Sequence, residues 1–198
     1  DEIRFNIGGG GSQTIQLQSA LPTITDSMIL DGTTQPEYAE PATVTLDGTG
    51  FVGTVLTITS DSNVVRGLAM RTPQIALVLS GSDGNVISDL DLSWLGTEYT
   101  DYLTHGIRLY SSSSNLIERV KATNRGGAML IDPSGGSSSE NTIQFNDFSG
   151  AGWSAIDAGG STGTDNRYLN NDLSNAGRAR NWPFALVLGP DPHFEVSG

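Results

Sequence analysis

The sequence predicts an all-β chain wound into a parallel solenoid, and three observations predict it. A nine-residue pattern opening with Asn recurs from Asn63, Asn85, Asn115, Asn141 and Asn166, at steps of 22, 30, 26 and 25 residues. A second short motif accompanies each copy, a small residue followed by inward, outward and inward positions. The composition excludes a helical bundle, because 25 Gly, 8 Pro and turns crowded with Ser, Asn and Asp leave only short β-branched apolar runs. Self-similarity at a period in this range marks a repeat that cannot bury its apolar face alone and must stack on its neighbours.

Along the chain, the first 60 residues carry the pattern irregularly, through Ile3, Phe5 and Ile7, Ile15 and Leu17, Met28 and Leu30, Val44 and Leu46, and Leu56 and Ile58. These are the expected starting rungs. The regular copies then read NVVRGLAMR, NVISDLDLS, NLIERVKAT, NTIQFNDFS and NRYLNNDLS. Their third, sixth and eighth residues are apolar in the first three copies, as in Val65, Leu68 and Met70. Asn146 and Asn171 break the rule together, which places two inward asparagines on adjacent rungs where each can bond the other and nearby backbone.

The accompanying motif appears as ALVL at Ala76, GIRL at Gly106, AMLI at Ala128, AIDA at Ala155 and ALVL at Ala185. Two short strands per repeat, offset in facing, bury both apolar sets only if each repeat closes one turn of a coil. Equivalent strands then stack about 4.8 Å apart, and the rest of the coil supplies the crossover that parallel strands need. The closing HFEVSG reads as a rung cut short, with Val196 in the column of Ile143 and an open sheet edge beyond it.

The segment IRFNIGGGGSQTIQLQSALPTITDSMILDGTTQP and the coil TIQFNDFSG, which fits an N-x-I-x-x-N consensus, carry a family resemblance. Over nearly its whole length the chain resembles bacterial secreted right-handed parallel β-helix repeat proteins, with the fold of the pectate-lyase-like superfamily. Glu37 and Glu40 stand where the usual opening has glycines. The resemblance implies one right-handed parallel β-helix domain over residues 1–198, with about seven to nine rungs. Residues 1–60 form irregular starting rungs, 61–192 regular rungs and 193–198 a truncated last rung. It also implies a secreted or cell-surface location, but no one activity, since the family spans polysaccharide lyases, hydrolases, epimerases and repeat segments of surface proteins.

Charge narrows the partners. With 10 basic and 22 acidic residues the net charge is −12, and Lys121 is the only lysine, so nucleic acid and anionic lipid are repelled. No apolar run approaches the roughly 18 residues of a membrane span, and the opening at Asp1 without a leader suggests a processed chain or excised fragment. Without Cys there is neither a disulfide framework nor a thiolate metal site.

Catalytic candidates come from the outward columns. One runs Thr45, Thr57, Val78, Arg108, Leu130, Asp157 and Val187, with His105 beside Arg108. Arg108 and Asp157 stand two rungs apart, roughly 10 Å at sheet spacing. The other column runs Ala69, Asp91, Lys121, Asp147 and Asp172. Asp91, Lys121 and Asp147 would hold one cation between two carboxylates, as an unlike-charge ladder, an acid/base set or a calcium site. No metal motif is complete and no cofactor is implied. Asp191 to Glu195 resembles the Asp-Pro-His-acid motif of mannuronan C5-epimerases, with Phe194 interrupting it.

The strongest clustering lies in the turn after the Asn-led strand. Trp94, Tyr99, Tyr102, Trp153 and Trp182 fall there, together with Arg125, Arg178 and Arg180, as a candidate glycan or protein docking flank. The same residues could instead fold back, each Trp capping the core and each Arg satisfying local carbonyls. The leading expectation is therefore a structural or adhesion module whose Trp/Tyr/Arg flank contacts glycan or a surface protein. The alternatives are a polysaccharide-active lyase, hydrolase or C5-epimerase, and a unit that associates end to end into fibres.

Overall fold

A computed structural model describes residues 1–72, 74–96, 104–160, 163–178, 184–189 and 195–197. The described strands are β1 (Glu2–Arg4), β2 (Gln13–Gln16), β3 (Ile29–Asp31), β4 (Val44–Asp47), β5 (Leu56–Ile58), β6 (Val64–Arg66), β7 (Leu68–Arg71), β8 (Leu77–Ser80), β9 (Val86–Ser88), β10 (His105–Tyr110), β11 (Leu116–Glu118), β12 (Gly127–Asp132), β13 (Thr142–Gln144), β14 (Ile156–Ala158), β15 (Arg167–Leu169), β16 (Leu186–Leu188) and β17 (Glu195–Ser197). The fold is all-β, and every described strand pair is parallel. None of the sheets closes into a barrel.

The strands sort into three sheets. The first runs β1-β3-β6-β9-β11-β13-β15-β17, the second β16-β14-β12-β10-β8-β5, and the third β2-β4-β7. Single bridges carry the third sheet onward through Ala69, Asp91, Lys121, Asp147 and Asp172. In the first sheet Val64, Val86, Leu116, Thr142, Arg167 and Glu195 stand in register, so each repeat adds one level to the stack. The expected position of Val196, beyond Tyr168 and Ile143, holds. Thr45 departs from expectation. It pairs with Ala69 in the third sheet instead of standing under Thr57 in the second, because in the early levels a longer connection precedes the third sheet: β3 ends at Asp31 and β4 starts only at Val44, whereas β7 follows β6 after Gly67 alone.

The first sheet turns one apolar row inward, and the second and third turn two each. Val65, Ile87, Ile117 and Ile143 in the first sheet, and Leu77, Ile107, Met129 and Ile156 in the second, are fully buried and stack on their equivalents one level away. Phe148 fills the row of the third sheet where Met70 and Leu92 stand earlier. These shared columns explain the period. A residue inward on one level is shielded only by inward residues immediately above and below it.

The leading asparagines form a buried ladder. Each Oδ1 accepts both the N–H and the Nδ2 of the preceding Asn, at 2.9 Å from Asn63 to Asn85 and from Asn85 to Asn115, 3.0 Å to Asn141 and 3.1 Å to Asn166. The second Nδ2 hydrogen bonds a turn carbonyl, as from Asn141 to Ser112 at 3.0 Å. A second ladder joins Asn146 to Asn171, with Nδ2 to Oδ1 at 2.8 Å, in the column that Leu68, Leu90 and Val120 occupy earlier. Both asparagines also donate to backbone, at Ile117 and Ile143, so the polar pair replaces leucine without an orphaned amide.

The ladder lies between two sharp corners. Left-handed residues recur in pairs five positions apart: Ser62 and Gly67, Gly84 and Asp89, Ser114 and Arg119, Glu140 and Phe145, Asp165 and Asn170. Gly67 is obligatory at its corner, since a Cβ there would lie 2.7 Å from the Thr33 nitrogen. Phe145 is the costliest occupant, a bulky side chain at φ 55° that remains 54% exposed.

Two stability measurements follow from these corners. Asn115→Ala removes two accepted and two donated hydrogen bonds from a buried level and should destabilise by about 2–3 kcal/mol in urea unfolding. Phe145→Asn replaces a strained ring with a residue at ease in the left-handed region. It should be neutral or stabilising by up to about 1 kcal/mol, and a larger loss would show that the ring packs more than its exposure implies.

Candidate functional site

On the second sheet, Thr57, Val78, Arg108, Leu130, Asp157 and Val187 stand in register as the outward column. Leu130 separates Arg108 from Asp157. Arg108 instead pairs with Asp132 on the next strand. Asp132 also accepts the Ser134 N–H at 2.8 Å, and Asp157 accepts the Gly159 N–H at 3.0 Å. His105 shares the parity of Ile107 and Leu109, is 3% exposed, and lies against the bare backbone of Gly127, where a Cβ would come within 2.7 Å of its ring. The imidazole and the Arg108 guanidinium therefore leave opposite faces of β10, and the expected grouping of His105 with Arg108 does not form.

Asp91, Lys121, Asp147 and Asp172 do stack, one per level. Their expected unlike-charge pairing does not form. Asp91 is bound by Arg71, with Nη2 2.6 Å from its carboxylate and Nη1 2.7 Å from its carbonyl. Asp147 turns to its own chain, accepting the Ser149 N–H at 3.2 Å and hydroxyl at 2.6 Å. Exposed Lys121 makes no ion pair among the described residues. The reason is local, since a carboxylate two residues before an N–H closes a turn that a lysine one level away cannot match.

This use of carboxylates is general. Asp31, Asp47, Asp91, Asp132, Asp147, Asp157 and Asp172 each accept the N–H two residues onward. Burial would raise the Asp91 carboxyl, but Arg71 and the Ser93 N–H outweigh it and hold the pKa below the ordinary value. Burial is opposed in the same way at Asp31 by Arg66, at Asp89 by Arg119 and at Asp132 by Ser134. At Asp47 and Asp172 the turn hydroxyls of Thr49 and Ser174 are the main cause of the lowering. Among the described residues, no group of three or more His, Asp or Glu comes together as a metal site.

The alternating ladder stands elsewhere, on the corner between the first and third sheets. Arg66 meets Asp31 at 2.6 Å, Arg119 meets Asp89 at 2.7 Å and Glu118 at 2.6 Å, and Gln144 donates to Glu118 at 2.9 Å. Burial and then the Asp89 carboxylate raise the phenol of half-buried Tyr38. Neither the inward rows nor the two outward columns traced in the sequence pass through this ladder. The signal lay at the fourth and fifth positions, where Arg66, Asp89 and Arg119 stand.

The docking flank is only partly described, since Tyr99, Tyr102, Arg180 and Trp182 lie outside the described residues. Trp94 is half-buried; its backbone N–H donates to the Thr123 carbonyl at 3.0 Å and its indole covers Gly96, where a Cβ would clash at 2.2 Å. Trp153 is also half-buried, with its backbone N–H on the Gly126 carbonyl at 2.7 Å. The two rings thus belong to turns on the same side of the stack, two levels apart and in different columns. Arg178 is exposed on the following turn.

Arg125 corrects an expectation. It does not offer its guanidinium to a ligand at the surface, for the residue is 1% exposed. Nε donates to the Leu92 carbonyl, Nη1 to Gln74 at 2.8 Å and Thr72 at 3.3 Å, and Nη2 has no partner. No carboxylate pairs with it among the described residues, and burial pushes its pKa down to about 9. Separately, an apolar cavity of about 530 Å³ opens among the first levels between Phe5, Leu17, Leu21, Ile24, Met28 and Leu30.

The chain matches no protein-family model and no curated protein.

Acid should unfold the protein through its aspartates. Six of them, Asp31, Asp47, Asp89, Asp91, Asp132 and Asp172, are held below the ordinary carboxyl value. The unfolded chain therefore binds more protons, so the stabilisation is full above about pH 5 and is lost progressively as pH falls through the native values. Urea unfolding from pH 7 to pH 2 should show this. Arg71→Ala should move the acid midpoint upward, whereas Lys121→Ala should leave it in place.

Proposed function

We propose that the chain is one right-handed parallel β-helix domain serving as a secreted or cell-surface structural and binding module. The Trp94–Trp153 side would contact a neutral glycan. Three all-parallel sheets that gain a strand or a single bridge with each repeat support the coil, and parallel crossovers are right-handed in about 98% of cases. The resemblance to bacterial secreted β-helix repeat proteins agrees with that reading.

The observation that carries the functional reading is the commitment of the carboxylates. Seven aspartates hold turn N–H groups, and the arginines of the outward faces are matched to acids. Such groups build a rigid surface. A polysaccharide-cleaving or epimerising site would need an acid and a base converging on one substrate atom. Inward His105, and Leu130 between Arg108 and Asp157, hold one set of candidates apart, and in the stacked column Asp91 and Asp147 are engaged by Arg71 and Ser149.

Two half-buried indoles on one side of the stack leave ring surface beside turn hydroxyls and carbonyls, a combination that suits a sugar ring. The net charge of −12 favours neutral over acidic glycans. The test is retention on amorphous cellulose, insoluble β-glucan and polygalacturonate, with release of reducing and unsaturated ends scored in parallel. The wild-type chain should be retained on a neutral polymer without releasing ends, and Trp153→Ala should weaken retention by about tenfold, typical of a lost aromatic contact. Unchanged retention of Trp153→Ala would refute the glycan contact; released ends would establish the enzyme.

A further inference from the structure

Arg125 connects four consecutive turns. Its side chain donates back one level to Leu92 and two levels to Thr72 and Gln74. Its main chain works in the other direction. The Arg125 carbonyl accepts the Gly152 N–H at 2.8 Å, and the next carbonyl, of Gly126, accepts the Trp153 N–H at 2.7 Å. Leu92 follows the single bridge residue Asp91 and leads directly into Ser93 and Trp94.

Burying a cation without a carboxylate partner is costly, and carbonyl dipoles offset only part of that cost. A local turn cap would not require it, since the Asp-x-Ser and Asp-x-Thr turns elsewhere in the chain are each closed by a carboxylate that accepts the N–H two residues onward. A planar guanidinium reaches several carbonyls in fixed directions at once, which neither an ammonium nor an amide does.

We propose that Arg125 is a positioning residue for the tryptophan side, its guanidinium holding the segment that carries Trp94 and its main chain the turn that carries Trp153. The proposal rests on the docking reading above for its purpose, but not for its geometry. Arg125 itself touches no ligand. It fixes the spacing between two indoles that stand two levels apart.

Hydrogen exchange on the complete chain tests it. In Arg125→Met, the amides of Trp94, Gly152 and Trp153 should exchange about tenfold faster or more, while those of Val86, Leu116 and Thr142 in the first sheet stay within about twofold of wild type. Arg125→Lys keeps the charge without the fork and should accelerate the same amides by a smaller factor, about threefold, so the test remains readable if Arg125→Met fails to fold. Unchanged exchange at Trp94 and Trp153, or equal acceleration at all six amides, would overturn the proposal. Retention on amorphous cellulose separates the two readings. Local acceleration with retention unaltered leaves the positioning role standing and overturns the tryptophan side as the docking surface.

Discussion

The constraint on which the rest of the structure depends is the polarity of a bent backbone. Each level bends twice within five residues, and between those bends the peptide groups face the interior instead of water. An unpaired buried peptide group costs as much as several buried methyl groups contribute. The leading asparagine meets this need because one short side chain both accepts and donates in a single plane. Its Oδ1 receives two N–H groups from one neighbour while its Nδ2 serves the next amide and a carbonyl. Leucine at that place would leave the turn unsatisfied, and glutamine would overshoot it.

Once the bends are satisfied, the apolar rows need only be small enough to fit a narrow interior. That explains why alanine serves in some inward positions where leucine or phenylalanine serves in others. It also explains the acidity. The aspartates are turn-formers first, and the arginines lie where a neighbouring level has left a carboxylate within reach, as Arg71 does for Asp91 and Arg66 for Asp31. Surface charge in this molecule is largely a by-product of closing turns.

Legibility followed the same division. The register of the first sheet, the placement of Val196 and the outward column from Thr57 to Val187 were all readable, because parallel stacking repeats a residue's environment at a fixed offset from each Asn. Side-chain partnerships were not readable in this way. The stacking of Asp91, Lys121 and Asp147 is legible in the repeat, but whether a carboxylate turns to a lysine one level away or to the N–H two residues on is not set by the repeat. For Arg125 the sequence leaves two readings open, a docking residue or one that satisfies carbonyls, and the structure takes the second. Its neighbours, Asn124 and Gly126, read as an exposed loop, and nothing in the pattern tells that the guanidinium passes inward to three carbonyls from earlier levels. Thr45 was misplaced because the early levels lack the leading Asn that sets the count.

The pairs of left-handed corners carry a consequence for how such a chain can change. From each leading Asn to the outward residue of the third sheet the separation is six positions in every copy, from Asn63 to Ala69 as from Asn166 to Asp172. All variation in repeat length therefore falls in the two remaining connections. Lengthening a flexible connection adds only about 0.6 kcal/mol for each doubling, whereas one residue inserted between the corners would shift every inward side chain of that level to the wrong face. The molecule thus separates a segment that tolerates no change of length from one that tolerates a great deal. New surface chemistry can be installed in the latter by exchange of whole turns, with the interior left as it is.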